Sequence, residues 1–215
     1  MAKTENEKLV QRLQLACAPE LSLRDFERLV CDPNAQVRQR LVERDDLPIK
    51  IAEKLARDSA HGVRHYAAQN HSIPPQALVY LAGDPSQLVR ILVAKHPNIT
   101  QTAAERLLAG GDTFVDRALA RNHSLPEEVF DLILEKSDLQ ALRWLGRNPF
   151  TPHRVLEALV QRLDLSGLVK MARNRSLSFN AFNVLAASDE RRVLSELRWN
   201  KCLPGSLRER VEQKL

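Results

Sequence analysis

Apolar positions in this chain return every 26 residues. Leu15, Leu41, Ala67, Val93, Leu119, Leu145, Met171 and Leu197 form one column. Leu29, Leu55, Leu81, Leu107, Ile133, Leu159, Leu185 and Val211 form a second. Both are apolar in all eight copies, as a ladder facing a continuous core must be. A third column, Ile51, Ala77, Ala103, Val129, Val155, Ala181 and Leu207, precedes the second by four residues and so shares its helical face. Sustained two-residue alternation is found nowhere, so the pattern predicts helices and no strands. A fixed period of this length marks a solenoid, whose units bury their apolar faces against one another.

Polar residues punctuate the same ruler. Asn70, Asn122, Asn148, Asn174 and Asn200 form one column, with Arg44 and His96 filling its skipped steps and Ala18 one step upstream. Five of the chain's ten asparagines in one column is far more than chance supplies. Four residues later stand Pro48, Pro74, Pro126, Pro152 and Pro204, with Thr100 and Ser178 as exceptions. An Asp opens each unit, at 32, 58, 84, 112, 138, 164 and 189.

Each unit therefore reads as two short helices. One follows the Asp and ends at the Asn column; the other starts around the Pro, whose missing N–H is harmless there. Asp32 and Asp84, each followed by Pro, read as an N-cap and first helical residue. The uneven Asp spacing reads as small indels absorbed by the loop before the first helix. The asparagines, placed between the helices, read as a structural ladder. Asn tolerates left-handed backbone there and bonds nearby main chain.

The expected architecture is all-α: about seven 26-residue repeats in a single domain, residues 1–215, behind a capping helix over about 5–16. Lys3 to Arg12 mixes charges with apolar residues, as a front cap would. In the last unit Arg198, Arg208 and Glu212 stand where earlier units carry apolar residues, so both ends read as capped.

The repeat D-P-x-x-x-V-R-x-x-x-A-x-N-x-x-x-P-x-x-x-L-x-x-L-A, seen over 58–82 and echoed over 84–108 and 113–134, resembles the leucine-rich repeat variant family, an armadillo- or HEAT-like α-solenoid. That resemblance spans nearly the whole chain. It implies a right-handed superhelix of alternating short helices, with 3₁₀ geometry open to one helix of each pair. Some members carry an N-terminal iron–sulfur cluster on a group of cysteines. Here Cys17 and Cys31 stand alone, so that feature does not carry over.

Three scattered cysteines, Cys17, Cys31 and Cys202, fit a reducing, cytoplasmic setting. The start has no apolar core of a signal peptide, and no long apolar run suggests a membrane span. His61, His65 and His71 could share a face as a metal site, but no acidic or Cys partner has fitting spacing. The pairs Asp45–Asp46, Glu127–Glu128 and Asp189–Glu190 fall at turns and helix starts and face no nucleophile. No phosphate loop, zincin motif or elbow serine is present. The chain reads as a non-enzyme, with no cofactor, no metal and no small-molecule substrate.

Charge supplies the functional lead. Residues 141–215 hold 14 Lys and Arg against 7 Asp and Glu, a net of +7. Immediately before the Asn column stand Lys95, Arg121, Arg147 and Arg173, with Trp199 next and Trp144 close by. Bases there complement a helix C-terminus; they also form a ladder that could follow an anionic partner, and both readings stay open. A protein partner is favoured for a scaffold of this kind, with a phosphate backbone as the alternative. A second stripe, six before the column, runs Arg38, Arg64, Arg90, Asp116, Leu142, Leu168, Leu194. Its leucines are either an exposed docking patch or a sign that later units pack differently after a shortened loop.

Overall fold

The computed structural model describes residues 4–215; Lys3, at the start of the expected front cap, lies outside them. The described residues form sixteen α-helices and no strand, with both helices of every pair α rather than 3₁₀. Two compact units divide the chain, Met1–Arg106 and Leu107–Leu215. The first contains α1 (Glu5–Ala16), α2 (Leu23–Leu29), α3 (Ala35–Val42), α4 (Ile49–Ala56), α5 (His61–Gln69), α6 (Pro75–Leu81) and α7 (Gln87–Lys95). Helix α8 (Gln101–Ala109) contains the boundary. The second contains α9 (Thr113–Ala120), α10 (Glu127–Lys136), α11 (Leu139–Arg147), α12 (His153–Arg162), α13 (Leu165–Met171), α14 (Phe179–Ala187), α15 (Arg191–Arg198) and α16 (Gly205–Lys214).

Within each unit, odd-numbered helices pack on odd and even on even. In the first, α1, α3, α5 and α7 form one layer with α4 and α6 in the other. In the second, α9, α11, α13 and α15 face α10, α12, α14 and α16. The apolar columns explain this two-layer repeat. Leu41, Ala67, Val93, Leu119, Leu145, Met171 and Leu197 are fully buried, and only Leu15 of that column is half-buried. The column running from Leu29 to Val211 is buried in every copy. Emptying one such position, as in Leu145→Ala, removes about 2–5 kcal/mol of transfer and cavity energy.

Helix starts hold the 26-residue register from α3 to α16, at 35, 61, 87, 113, 139, 165 and 191 and at 49, 75, 101, 127, 153, 179 and 205. The register shows no insertion or deletion, yet the loop before the first helix does shorten, from 30–34, 57–60 and 82–86 in the first unit to 137–138, 163–164 and 188–190 in the second, because the preceding helix runs further. The Asp spacing varies because the Asp moves closer to the helix that follows. Asp32, Asp58 and Asp84 stand three residues before their helices and accept the backbone N–H of Asn34, Ala60 and Ser86 at 2.9, 2.8 and 2.9 Å. The N-caps are thus Asn34 and Ser86, not the Asp of each Asp–Pro pair. In the second unit Asp112, Asp138 and Asp164 are themselves N-caps, accepting from Phe114, Ala141 and Gly167.

The partner arginine moves with the Asp. Arg12, Arg38 and Arg64 pair with Asp32, Asp58 and Asp84 at 2.8, 2.6 and 2.6 Å. Arg117 and Arg143, one helix position later in the repeat, pair with Asp138 and Asp164. The vacated position is free to turn inward: Leu142 and Leu194 are buried and Leu168 is half-buried. These leucines belong to the core and make no docking patch.

The second helix of each pair starts one residue after the recurring Pro. Pro48, Pro74, Pro126, Pro152 and Pro204 are N-caps without a side-chain bond, their ψ angles of 138–150° holding the extended entry. The two exceptions cap with hydroxyls instead: Thr100 Oγ1 accepts from Ala103 N, and Ser178 Oγ from Ala181 N, both at 3.2 Å. No helix among the described residues is long and apolar enough to cross a membrane.

A candidate binding face on the second unit

The Asn column lies inside each unit rather than on a surface. Asn148 Nδ2 donates to the Ala120 and Asn122 carbonyls at 3.1 and 2.8 Å, and its Oδ1 accepts from Phe150 N at 3.0 Å. Asn174 repeats the pattern on Gly146, Asn148 and Ser176, Asn200 on Ala172, Asn174 and Cys202, and Asn70 on Val42, Arg44 and Ser72. The Oδ1 of Asn122 accepts from Ser124 N at 2.8 Å. The amides of Asn70, Asn148, Asn174 and Asn200 thus each tie two carbonyls 26 and 28 residues upstream to an N–H two residues downstream.

Left-handed backbone plays no part. Asn70 and Asn148 are extended (φ −73°, −68°), and no described residue other than Gly111 has positive φ. An extended exit turns the amide back toward the preceding repeat. Arg44 and His96 reach upstream in the same way. Arg44 Nη1 donates to Ala18 O at 2.5 Å and Ala16 O at 3.3 Å. His96, 2% exposed, bonds Asn70 O through Nε2 and accepts Asn98 N at Nδ1, which fixes a neutral tautomer; burial holds its imidazole below the usual range. In the last repeat Arg208 donates to the Arg198 and Asn200 carbonyls at 2.8 and 3.1 Å, groups equivalent to those the asparagines satisfy upstream.

The basic positions are exposed. Lys95 ends α7 in the first unit. Arg121 caps α9, Arg147 ends α11, Arg173 follows α13 by two residues, and Trp199 caps α15, all on the odd layer of the second unit. Two bases and one tryptophan come together. The guanidinium carbons of Arg121 and Arg147 lie 4.4 and 4.6 Å from the centroid of the half-buried Trp144 ring. Such cation–π contacts hold both arginines in place and cover the ring. Arg173 pairs with Glu196, and Trp199 is 74% exposed with the Arg198 guanidinium carbon 5.0 Å from its ring.

A cleft of about 450 Å³ lies between these rungs, lined by Arg147, Lys170, Arg173, Val169, Asn174 and Glu196. A second, of about 280 Å³, is lined by Arg173, Arg175, Trp199, Asn200 and Lys201. Lys170 was not legible in the sequence because its column reads Arg40, Tyr66, Leu92, Ala118, Trp144, Lys170 and Glu196; Arg175 and Lys201 share a column whose earlier steps are Asp45, His71, Pro97, His123 and Pro149. Among the described residues Arg121, Arg147 and Lys170 form no ion pair, in contrast to Arg117 and Arg143 one turn away. The face can hold an anionic group without first breaking a bond at those three.

The histidines are not gathered. His61 Nε2 lies 2.9 Å from Ser86 Oγ, its ring 6.0 Å from that of His65, whereas His71 stacks edge-on against His96. Cys17, Cys31 and Cys202 are exposed free thiols, and Lys54 Nζ lies 2.8 Å from Cys31 Sγ.

No protein-family model and no curated protein matches the chain. A solved structure described as "a leucine-rich repeat variant with a novel repetitive protein structural motif" is similar over 96% of this chain and 93% of that one, with a TM-score of 0.54 and 20% sequence identity. At that identity the likeness is one of fold: the chain shares the all-α repeat architecture that its 26-residue pattern resembles in sequence.

Proposed function

We propose that the chain is a non-catalytic binding module, working as one repeat domain in the cytoplasm, and that its partner is another protein held on the odd-helix face of the second unit. Repeat folds present long surfaces built from equivalent positions, which suits binding and scaffolding. The observation that carries the reading is the set of exposed bases without a carboxylate, Arg121, Arg147 and Lys170, on a face where Arg117, Arg143 and Arg173 are paired. The Asn column is the frame beneath that face, and Lys95 is an outlying member of the ladder. Three exposed thiols, odd in number, fit a reducing compartment.

Nucleic acid is the second reading, favoured by the same bases. One observation weighs against it. Strand binders stack successive bases on open aromatic faces, whereas the Trp144 ring is already covered by two guanidinium groups. A pull-down from lysate, with and without nuclease, comparing the wild type with the triple Arg121→Glu, Arg147→Glu, Arg173→Glu variant, separates the two. A nuclease-insensitive protein lost in the variant is the expected result. Recovery of nucleic acid alone overturns the protein reading.

A further inference from the structure

Resting on that protein-binding reading, we propose that the odd-helix face of the second unit takes an acidic segment of its partner in polyproline II conformation, with a carboxylate at every third residue. Successive odd helices α9, α11, α13 and α15 are in direct contact, and packed helix axes lie about 8–10 Å apart. The register between them is 26 residues throughout, so Arg121, Arg147, Arg173 and Trp199 occupy equivalent places on successive rungs. The stack on Trp144 gives an independent bound: at 4.4 and 4.6 Å from one centroid, the two guanidinium carbons are separated by no more than the sum, about 9 Å.

The helix spacing and that upper bound together leave about 8–9 Å for the repeat of a ligand with matched charges. Polyproline II has three residues per turn and rises about 3.1 Å per residue, so every third side chain points the same way about 9.3 Å further on. A β-strand returns to one face about every 6.6 Å. An α-helix does so at about 6 Å, and again at about 10.5 Å after two turns. Of these, the polyproline II segment comes nearest to the spacing of the rungs.

The rest of the face fits the same occupant. Arg121 and Arg147 are held by Trp144, so a carboxylate binds them with little loss of side-chain freedom. The cleft between the next rungs is lined by three cations, Arg147, Lys170 and Arg173, alongside Val169, Asn174 and Glu196, and offers those bases to an incoming carboxylate. Arg173 is largely exposed, so its pair with Glu196 is weak, and an incoming carboxylate exchanges for it. Trp199, largely exposed with the Arg198 guanidinium against its ring, ends the ladder and offers its remaining surface to the proline rings of such segments.

The test uses the full chain and calorimetric titration with three probes: the peptide (Glu-Pro-Pro)4, an isomer of the same composition with its four glutamates contiguous, and a 12-nucleotide oligothymidylate. We expect the spaced peptide to bind at least tenfold more tightly than the contiguous isomer. Arg147→Glu and, separately, the more exposed Arg173→Glu should each weaken it at least tenfold. Arg24→Glu, the same charge change on the exposed surface of α2, should leave it within twofold. Circular dichroism of each variant establishes that the helices are retained. Equal affinity for the two peptides, no binding of either, or a preference for the oligonucleotide with a log–log salt slope of about −2 to −3 for three phosphate contacts overturns the proposal. If those results accompany a nuclease-insensitive protein still captured through Arg121, Arg147 and Arg173, the carboxylate spacing is wrong while the protein-binding reading stands.

Discussion

Asp116→Asn should stabilise the protein at neutral pH and do almost nothing in acid. Asp116 occupies, in α9, the repeat position where Arg38 and Arg64 bind the Asp that opens the next unit. It is 5% exposed, its Oδ2 accepts only a long 3.3 Å bond from Ser137 Oγ, and its Oδ1 has no hydrogen-bond partner. Burial, with the like charges of Asp138 and Asp112, raises its pKa to about 6; Ser137 and Arg117 oppose this. Unfolded, the carboxyl titrates at its ordinary 3.8. Below that value it is neutral in both states and costs nothing. As pH rises from 3.8 to about 6 the unfolded chain ionises first, and stability falls; above about 6 the full cost is present. At 1.36 kcal/mol per pKa unit the gap amounts to about 3 kcal/mol. Asparagine removes the charge and keeps a partner for Ser137. Urea unfolding followed by tryptophan fluorescence suits the measurement, because Trp144 and Trp199 both lie in the unit that carries Asp116. The expected gain is about 1–3 kcal/mol at pH 7.5 and near zero at pH 4. An equal effect at both pH values, or destabilisation at pH 7.5, would refute the reasoning.

Asn148→Ala leaves two buried carbonyls and one N–H without their partner, and should cost about 3 kcal/mol in urea unfolding; an unchanged midpoint with binding lost would make the asparagines ligand contacts instead. His96→Asn should match the wild type at pH 7.5 and exceed it at pH 5. Burial lowers the folded histidine's pKa, so its stability is present above the unfolded pKa and lost as pH falls below it; parallel thermal melts at the two pH values decide this. Arg208→Ala frees the Arg198 and Asn200 carbonyls and should speed hydrogen exchange in α15 and α16 before any other helix; uniform exchange across the second unit would contradict it.

The repeat pattern carried the architecture. Apolar columns at a fixed period constrain which face of each helix is inward, and that constraint is local enough to read from residue numbers: Leu41 to Leu197 are the core they promise to be. Proline four residues after the Asn column likewise marked every second-helix entry it occupies, because its fixed φ suits an N-cap as well as a first turn. The resemblance to a leucine-rich repeat variant rested on the same columns and holds as a likeness of fold.

What a long polar side chain reaches was not legible. The asparagine amides span to carbonyls 26 and 28 residues away, a contact that exists only once two repeats are stacked. The uneven Asp spacing looked like small indels, yet it is a shift of Asp and arginine together while the helix starts keep a constant register. Lys170 joined the basic face without any column to announce it. Helix register follows from backbone periodicity and burial, which the sequence states directly. Which charges are paired, stacked or left open depends on distances across neighbouring helices, and only tertiary packing sets those.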